Sequence, residues 1–154
     1  MTADNDTATQ SQGLYVWQVD NLLAATASLD GHWQLSPEQI NAGQTELSND
    51  AVTGNRIATD TRTIKPGDIF LALSGDNFDG HDYIDMAASQ GAIAAIVSRP
   101  VTSPNSIPQL VVSDTRLALG QLAAYRRQQH THLTVIAITG SSGKTTCKEM
   151  LGSI

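Results

Sequence analysis

Seven consecutive residues near the C-terminal end of the 154-residue chain, Gly140-Ser141-Ser142-Gly143-Lys144-Thr145-Thr146, combine types and spacing that suit phosphate chemistry. Glycines let backbone N–H groups converge on an anion, and a helix opening directly after them points its positive end at the same place. Lys144 can then reach the β and γ phosphates of a nucleotide, and the Thr145 hydroxyl can ligate Mg2+. Only Ser141 and Ser142 separate the two glycines, where the commoner loop has four residues, and Ile138 stands where that loop has its first glycine. A plain glycine turn with a surface lysine is the alternative. The apolar run Val135 to Thr139 before the loop and the helix-compatible Cys147 to Leu151 after it favour phosphate binding. ATP and Mg2+ are the expected cofactors, with Lys144 and Thr145 as the catalytic candidates.

Other reactive side chains fit bland roles better. His130 and His132 have the i, i+2 spacing of metal ligands on a strand, but no cysteine or carboxylate pair nearby completes a set, so a solvated loop is expected. His32 and Trp33 read as packing or surface residues. Cys147, the single cysteine, opens the helix after the loop, and burial beside the preceding strand is favoured over a reactive thiol.

The elements that must carry these groups alternate between strand and helix. Ile69 to Leu73, Ala92 to Val97, Leu110 to Val112 and Leu133 to Thr139 are continuous apolar runs of strand length, as expected of strands buried on both faces. Pro66-Gly67-Asp68 marks a turn, Asp82 to Gln90 a helix stopped by Gly91, and Ser98 to Pro108 a loop. Ser113 or Asp114 can cap a helix in which Thr115, Ala118, Leu119, Leu122 and Ala123 share one face. Further upstream, Leu14 to Val19 suggests a first strand, Asp20 the cap of a short helix, and His32 to Leu35 a weak strand. Ser36 to Asn55 offers only an irregular loop. The pattern predicts an α/β fold with parallel pairing, with candidate domain edges at the Ser98 to Pro108 loop and at the strand-to-helix junction near Ser113.

Composition narrows the function classes. Fifteen acidic against nine basic residues give a net charge of -6, which leaves no electrostatic footprint for nucleic acid or an anionic membrane. One cysteine permits neither an intrachain disulfide nor a multi-thiolate metal site. The N-terminus lacks the pattern of a signal peptide, and no apolar stretch is long enough to span a bilayer. A soluble cytoplasmic protein without membrane insertion is expected, with residues 1–12 as a disordered tail.

The compact Thr139-Gly140-x-x-Gly143-Lys144-Thr145-Thr146 form resembles the ATP loop of the Mur ligases. Thr59-Asp60-Thr61-Arg62, Lys65 to Gly75 and Phe78-Asp79-Gly80-His81-Asp82 are similar to the N-terminal domain shared by the family members that add the third amino acid and the terminal dipeptide to the peptidoglycan precursor. Asp114 to Ala123 and Gly140 to Met150 resemble the dipeptide-adding member more closely. The resemblance implies a small mixed-sheet UDP-substrate-binding unit over 13–112 followed by the start of a P-loop ATPase unit over 113–154, in a ligase that uses ATP to join D-alanyl-D-alanine to UDP-N-acetylmuramoyl-tripeptide through an acyl phosphate, acting as a monomer. Because few residues follow the loop, the chain is expected to be an N-terminal fragment, inactive alone. The third-residue-adding ligase and a non-catalytic UDP-sugar-binding module are the alternatives.

By the same resemblance, Thr61, Arg62, Asn77, Phe78, Asp79, Gly80 and His81 form the candidate UDP-sugar site. Arg62 can pair hydrogen bonds with a diphosphate, and Phe78 can offer a ring face to a base. Against those roles, Asp60 and Arg62 can form a structural ion pair, Phe78 can be core, and His81 can be structural.

Overall fold

The computed structural model describes residues 16–102, 107–132 and 134–153. In chain order the elements are β1 (Trp17–Gln18), α1 (Val19–Ala25), β2 (His32–Gln34), α2 (Pro37–Asn41), β3 (Thr53–Gly54), β4 (Arg56–Ala58), β5 (Asp68–Leu71), β6 (Ser74–Gly75), β7 (Phe78–Asp79), α3 (Ile84–Ser89), β8 (Ala94–Val97), β9 (Gln109–Val111), α4 (Thr115–Gln129) and α5 (Lys144–Leu151). Five strands form one sheet in the order β2-β9-β8-β5-β4. The four strands from β4 to β9 run parallel, and β2 closes one edge antiparallel to β9, giving the mixed α/β sheet that the sequence predicts.

Strand alternation divides the core into two layers. Ile69, Leu71, Ala94, Ile96, Leu110 and Val112 face α1 and α4, which contribute Leu22, Ala118 and Leu122 to the same buried cluster. Phe70, Ala72, Ala95, Val97 and Val111 face the other way, against Ile84 and Ala87 of α3 and against Ile64, Val101 and Ile107 from loops. Helices on both faces are the reason that β5 and β8 read as unbroken apolar runs. The Gln109 side chain, although in a buried strand, is satisfied because it accepts from Val101 N at 2.9 Å and donates to Val101 O at 2.6 Å, tying down one end of the loop after β8.

Several expectations need correction. The first strand is only two residues long, and α1 starts at Val19 behind a reciprocal cap between Gln18 and Asn21, so Asp20 lies inside the helix rather than capping it. The polar stretch 36–55 is ordered. Ser36 caps α2 by accepting from Gln39 N while the Gln39 side chain accepts from Ser36 N, and Pro37 stands at the first helical position, where its missing N–H costs nothing. The stretch ends in β3, paired with β1. Residues 134–139 form no strand, and Val135 and Ile136 are exposed, because no strand of the described residues lies beside them to complete a ladder. Helix α4 starts at its expected cap, Asp114, which accepts from Arg116 N and Leu117 N at 2.7 and 2.9 Å. It nevertheless packs against α1 and the sheet rather than with the residues that follow it. His130 is buried, not solvated, with its ring set edge-on to His132 at 5.9 Å. Cys147 is exposed. The expected tail at 1–12 lies outside the described residues.

Candidate functional site: a cleft at the carboxyl ends of the parallel strands

In open parallel sheets, ligands bind in the crevice beyond the carboxyl ends of the strands. Here that end carries a cleft of about 590 Å³, lined by the segment after β4 (Thr59 to Arg62), by Phe78 and Gly80 of the β6–β7 hairpin region, and by Phe70, Tyr83 and Met86. Four of the residues assigned from the sequence, Thr61, Arg62, Phe78 and Gly80, therefore meet in one place. Asn77, Asp79 and His81 do not line it. Tyr83 and Met86 were not singled out in the sequence, although both lie in the expected helix and its approach. They are exposed together with Phe78, and three large apolar groups left in solvent around one hollow mark a binding surface more than a packing defect.

The loop after β4 is set by an ion pair between a buried carboxylate and a half-exposed arginine. Asp68, 3% exposed, accepts from Arg56 Nη2 at 2.5 Å and Nε at 3.2 Å, and also from Lys65 N at 2.8 Å. The Arg56 bond holds the Asp68 carboxyl below the usual carboxylate range against the opposing effect of burial, and raises the Arg56 guanidinium. Arg56 also donates to Thr63 O at 2.5 Å, so one guanidinium fastens both ends of the 60–68 connection. Within that connection Asp60 caps the short turn Thr61–Thr63 by accepting from Arg62 N at 3.0 Å, and pairs with Arg62 Nη2 at 2.6 Å. The structural ion pair considered for Arg62 is thus present. The Arg62 side chain is nonetheless 86% exposed at the cleft, and an exposed pair of this kind is weakly held in water, so an incoming anion can compete with Asp60 for the guanidinium.

The hairpin wall depends on close backbone approach. A Cβ on Gly80 would stand 2.6 Å from Leu73 O and 2.9 Å from Leu73 N, and Gly80 N donates to that same Leu73 O at 2.8 Å. Glycine is required there by the protein's own backbone. Phe78 lies over Gly75, where an added Cβ would meet the ring at 3.2 Å, so it is a wall residue and not core. Behind the wall, Asp79 accepts from His81 N at 3.0 Å, from His81 Nδ1 at 2.6 Å, from Ser74 Oγ at 2.8 Å and from Arg99 Nη2 at 2.8 Å. The first three hold its carboxyl well below the usual carboxylate range. His81 is 2% exposed and belongs to this support.

The second candidate region is the loop 140–146. Gly140 and Gly143 both have positive φ, +144° and +79°, and α5 begins at Lys144 with no side chain capping it. Its first-turn N–H groups are left for solvent or a ligand. The Lys144 Nζ donates back to Gly140 O across the loop. Ser141, Ser142, Thr145 and Thr146 are exposed. This chemistry suits a phosphate chain: uncapped backbone donors, one ammonium, and a hydroxyl at Thr145 fit to ligate Mg2+. Among the described residues no group of three or more His, Cys, Asp or Glu side chains gathers as a resident metal centre would need.

The model of the Mur ligase family, catalytic domain, matches residues 55–127. The UDP-N-acetylmuramoyl-tripeptide--D-alanyl-D-alanine ligase of Escherichia coli K12 is 50% identical over 109 residues, which are 71% of this chain and 24% of that protein. This chain carries a domain of the Mur ligase family. The Haemophilus influenzae ligase of the same name is 50% identical over 108 residues, 70% of this chain and 23% of its own length. A UDP-N-acetylmuramoyl-L-alanyl-D-glutamate--2,6-diaminopimelate ligase from Aquifex aeolicus is 40% identical over 99 residues, 64% of this chain and 20% of that one. Among solved structures, MurF from Acinetobacter baumannii superposes with a TM-score of 0.67 at 47% identity, covering 90% of this chain and 27% of that chain. The chain thus spans about a quarter of the length of the relatives it matches. No helix of the described residues is long and apolar enough to cross a membrane.

Proposed function

We propose that the chain supplies the sugar-nucleotide-binding end, and the nucleotide loop, of a cytoplasmic ligase that joins D-alanyl-D-alanine to UDP-N-acetylmuramoyl-tripeptide. The observation that carries this reading is the 50% identity to ligases of that name, together with a cleft whose wall is built from the Thr59 to Arg62 and Phe78 to Gly80 segments. The third-residue-adding ligase is the weaker reading, because the match to it is 40%. The packing of α4 favours ending the first unit after Gln129 and starting the second in the residues leading to Gly140.

In this mechanism the uridine lies against Phe78 and Gly80, and Arg62 exchanges Asp60 for the diphosphate. The tripeptide carboxylate is a poor electrophile at neutral pH. Attack of one of its oxygens on the γ-phosphorus of ATP breaks the bond to the β-γ bridging oxygen, giving an acyl phosphate and ADP. The amine of D-alanyl-D-alanine then adds to the acyl carbon, loses a proton and expels phosphate as the amide forms. Lys144 and the backbone N–H groups of Gly140 to Thr145 neutralise charge on the transferring phosphoryl group. Mg2+, held by the Thr145 hydroxyl, would supply further neutralisation. The acidic surface does not oppose this chemistry, because both anionic ligands are met by local groups, Arg62 and Lys144. A monomer that binds no nucleic acid fits that charge.

The test is a chimera in which this chain replaces the matching quarter of the E. coli ligase. The expected result is pentapeptide product with one phosphate released per amide. A folded chimera that binds ATP but makes no product overturns the reading.

A further inference from the structure

We propose that His81 is a positioning residue for the sugar-nucleotide cleft, holding the β6–β7 hairpin to the end of β8 so that Phe78 and Gly80 form the cleft wall, without touching the ligand itself. The proposal rests on the cleft reading above. Both ring nitrogens of this buried imidazole are engaged, and by different elements. Ser98 N, just past β8, lies 3.0 Å from Nε2. A backbone amide can only donate, so Nε2 accepts, and Nδ1 carries the proton and donates to Asp79 Oδ1 at 2.6 Å.

That carboxylate also receives the Ser74 hydroxyl, so the first residue of β6 and the last of β7 close on one group, which the imidazole then joins to the main sheet. A hairpin with two residues per strand cannot hold its pose unaided. Its other ties outward from Asp79 and Ser74 are made by the exposed arginines Arg99, 54% exposed, and Arg116, whose Nη2 donates to Ser74 O at 3.2 Å. Both can exchange with water at little cost, whereas the imidazole is sealed from it.

The order Ser98, His81, Asp79 resembles a nucleophile–base–carboxylate relay, since Ser98 Oγ is 3.2 Å from Nε2. The Ser98 amide already occupies the Nε2 lone pair, which is then not free to take the hydroxyl proton. The arrangement is built for orientation.

The experiment uses the whole 154-residue chain, with amide hydrogen exchange and titration with UDP as paired measurements. His81→Ala is expected to speed exchange across residues 74–81 while the amides of β5 and β8 keep their protection, and to weaken UDP binding about tenfold through lost preorganisation. His81→Gln, whose amide oxygen reaches toward Ser98 N, is expected to restore part of both. Unchanged exchange in the hairpin overturns the proposal, as does a loosened hairpin with unchanged UDP affinity. Loss of protection throughout β5 and β8 in both variants also overturns it, in favour of a global structural role. Failure of the wild-type chain to bind UDP would instead refute the cleft reading, while the exchange arm still reports on the hairpin.

Discussion

Residues 69–73 and 134–139 are both apolar runs leading into glycine-bearing loops, yet Ile69, Leu71 and Ala72 are fully buried while Val135 and Ile136 stand more than half exposed. Composition does not separate them; neighbours do. β5 has β4 on one side, β8 on the other, and helices over both faces. The later run has none of these among the described residues. An apolar run therefore encodes a strand only conditionally, and the same contrast separates the two candidate sites. The cleft is held by a finished scaffold, whereas the loop at 140–146 is shaped by its own glycines and the start of α5.

The comparison can be broken first in the core. Ile96→Ala, in a side chain with no exposure, should cost about 2–5 kcal/mol in urea unfolding, and Ile136→Ala within about 0.5 kcal/mol. Comparable losses at the two positions would mean that the second run is packed after all.

Next is the ion pair under the cleft. Asp68→Asn should destabilise by about 1–3 kcal/mol, since three N–H donors lose a charged acceptor. The carboxyl is depressed in the folded state, so its contribution is present above the unfolded value of about 3.9 and lost as pH falls through the folded one. Wild type and Asp68→Asn should accordingly converge in stability as the pH is lowered below about 4. A smaller effect tests whether α4 belongs to the scaffold. Asp114→Ala should cost about 1 kcal/mol by removing the cap from two N–H groups.

Much of the scaffold was legible in the sequence because its signals are local. The apolar runs of β5, β8 and β9, the Gly91 stop with φ of +100° and the Asp114 cap each depend on a few adjacent residues. What was missed depends on distant partners or on a cap hidden in a polar stretch. Ser36-Pro37 with Gln39 reads as a helix start only once the reciprocal bonds are sought. His130 is buried by the fold around it, which no spacing rule reveals. In the site, Thr61, Arg62, Phe78 and Gly80 meet as expected. Asp79 and His81, which share the same short segment, turned out to face inward, because an alternation of wall and support cannot be read from a loop.

The most direct measurement is calorimetric titration of the chain with UDP-N-acetylmuramoyl-tripeptide, comparing Phe78→Ala with Lys144→Ala. Loss of a stacking face is worth about 1–3 kcal/mol, so Phe78→Ala should weaken binding roughly fivefold or more. Lys144→Ala should leave the affinity within about twofold of wild type, because the scaffold alone holds the cleft. The reverse pattern, with binding sensitive to Lys144 and indifferent to Phe78, would contradict the account.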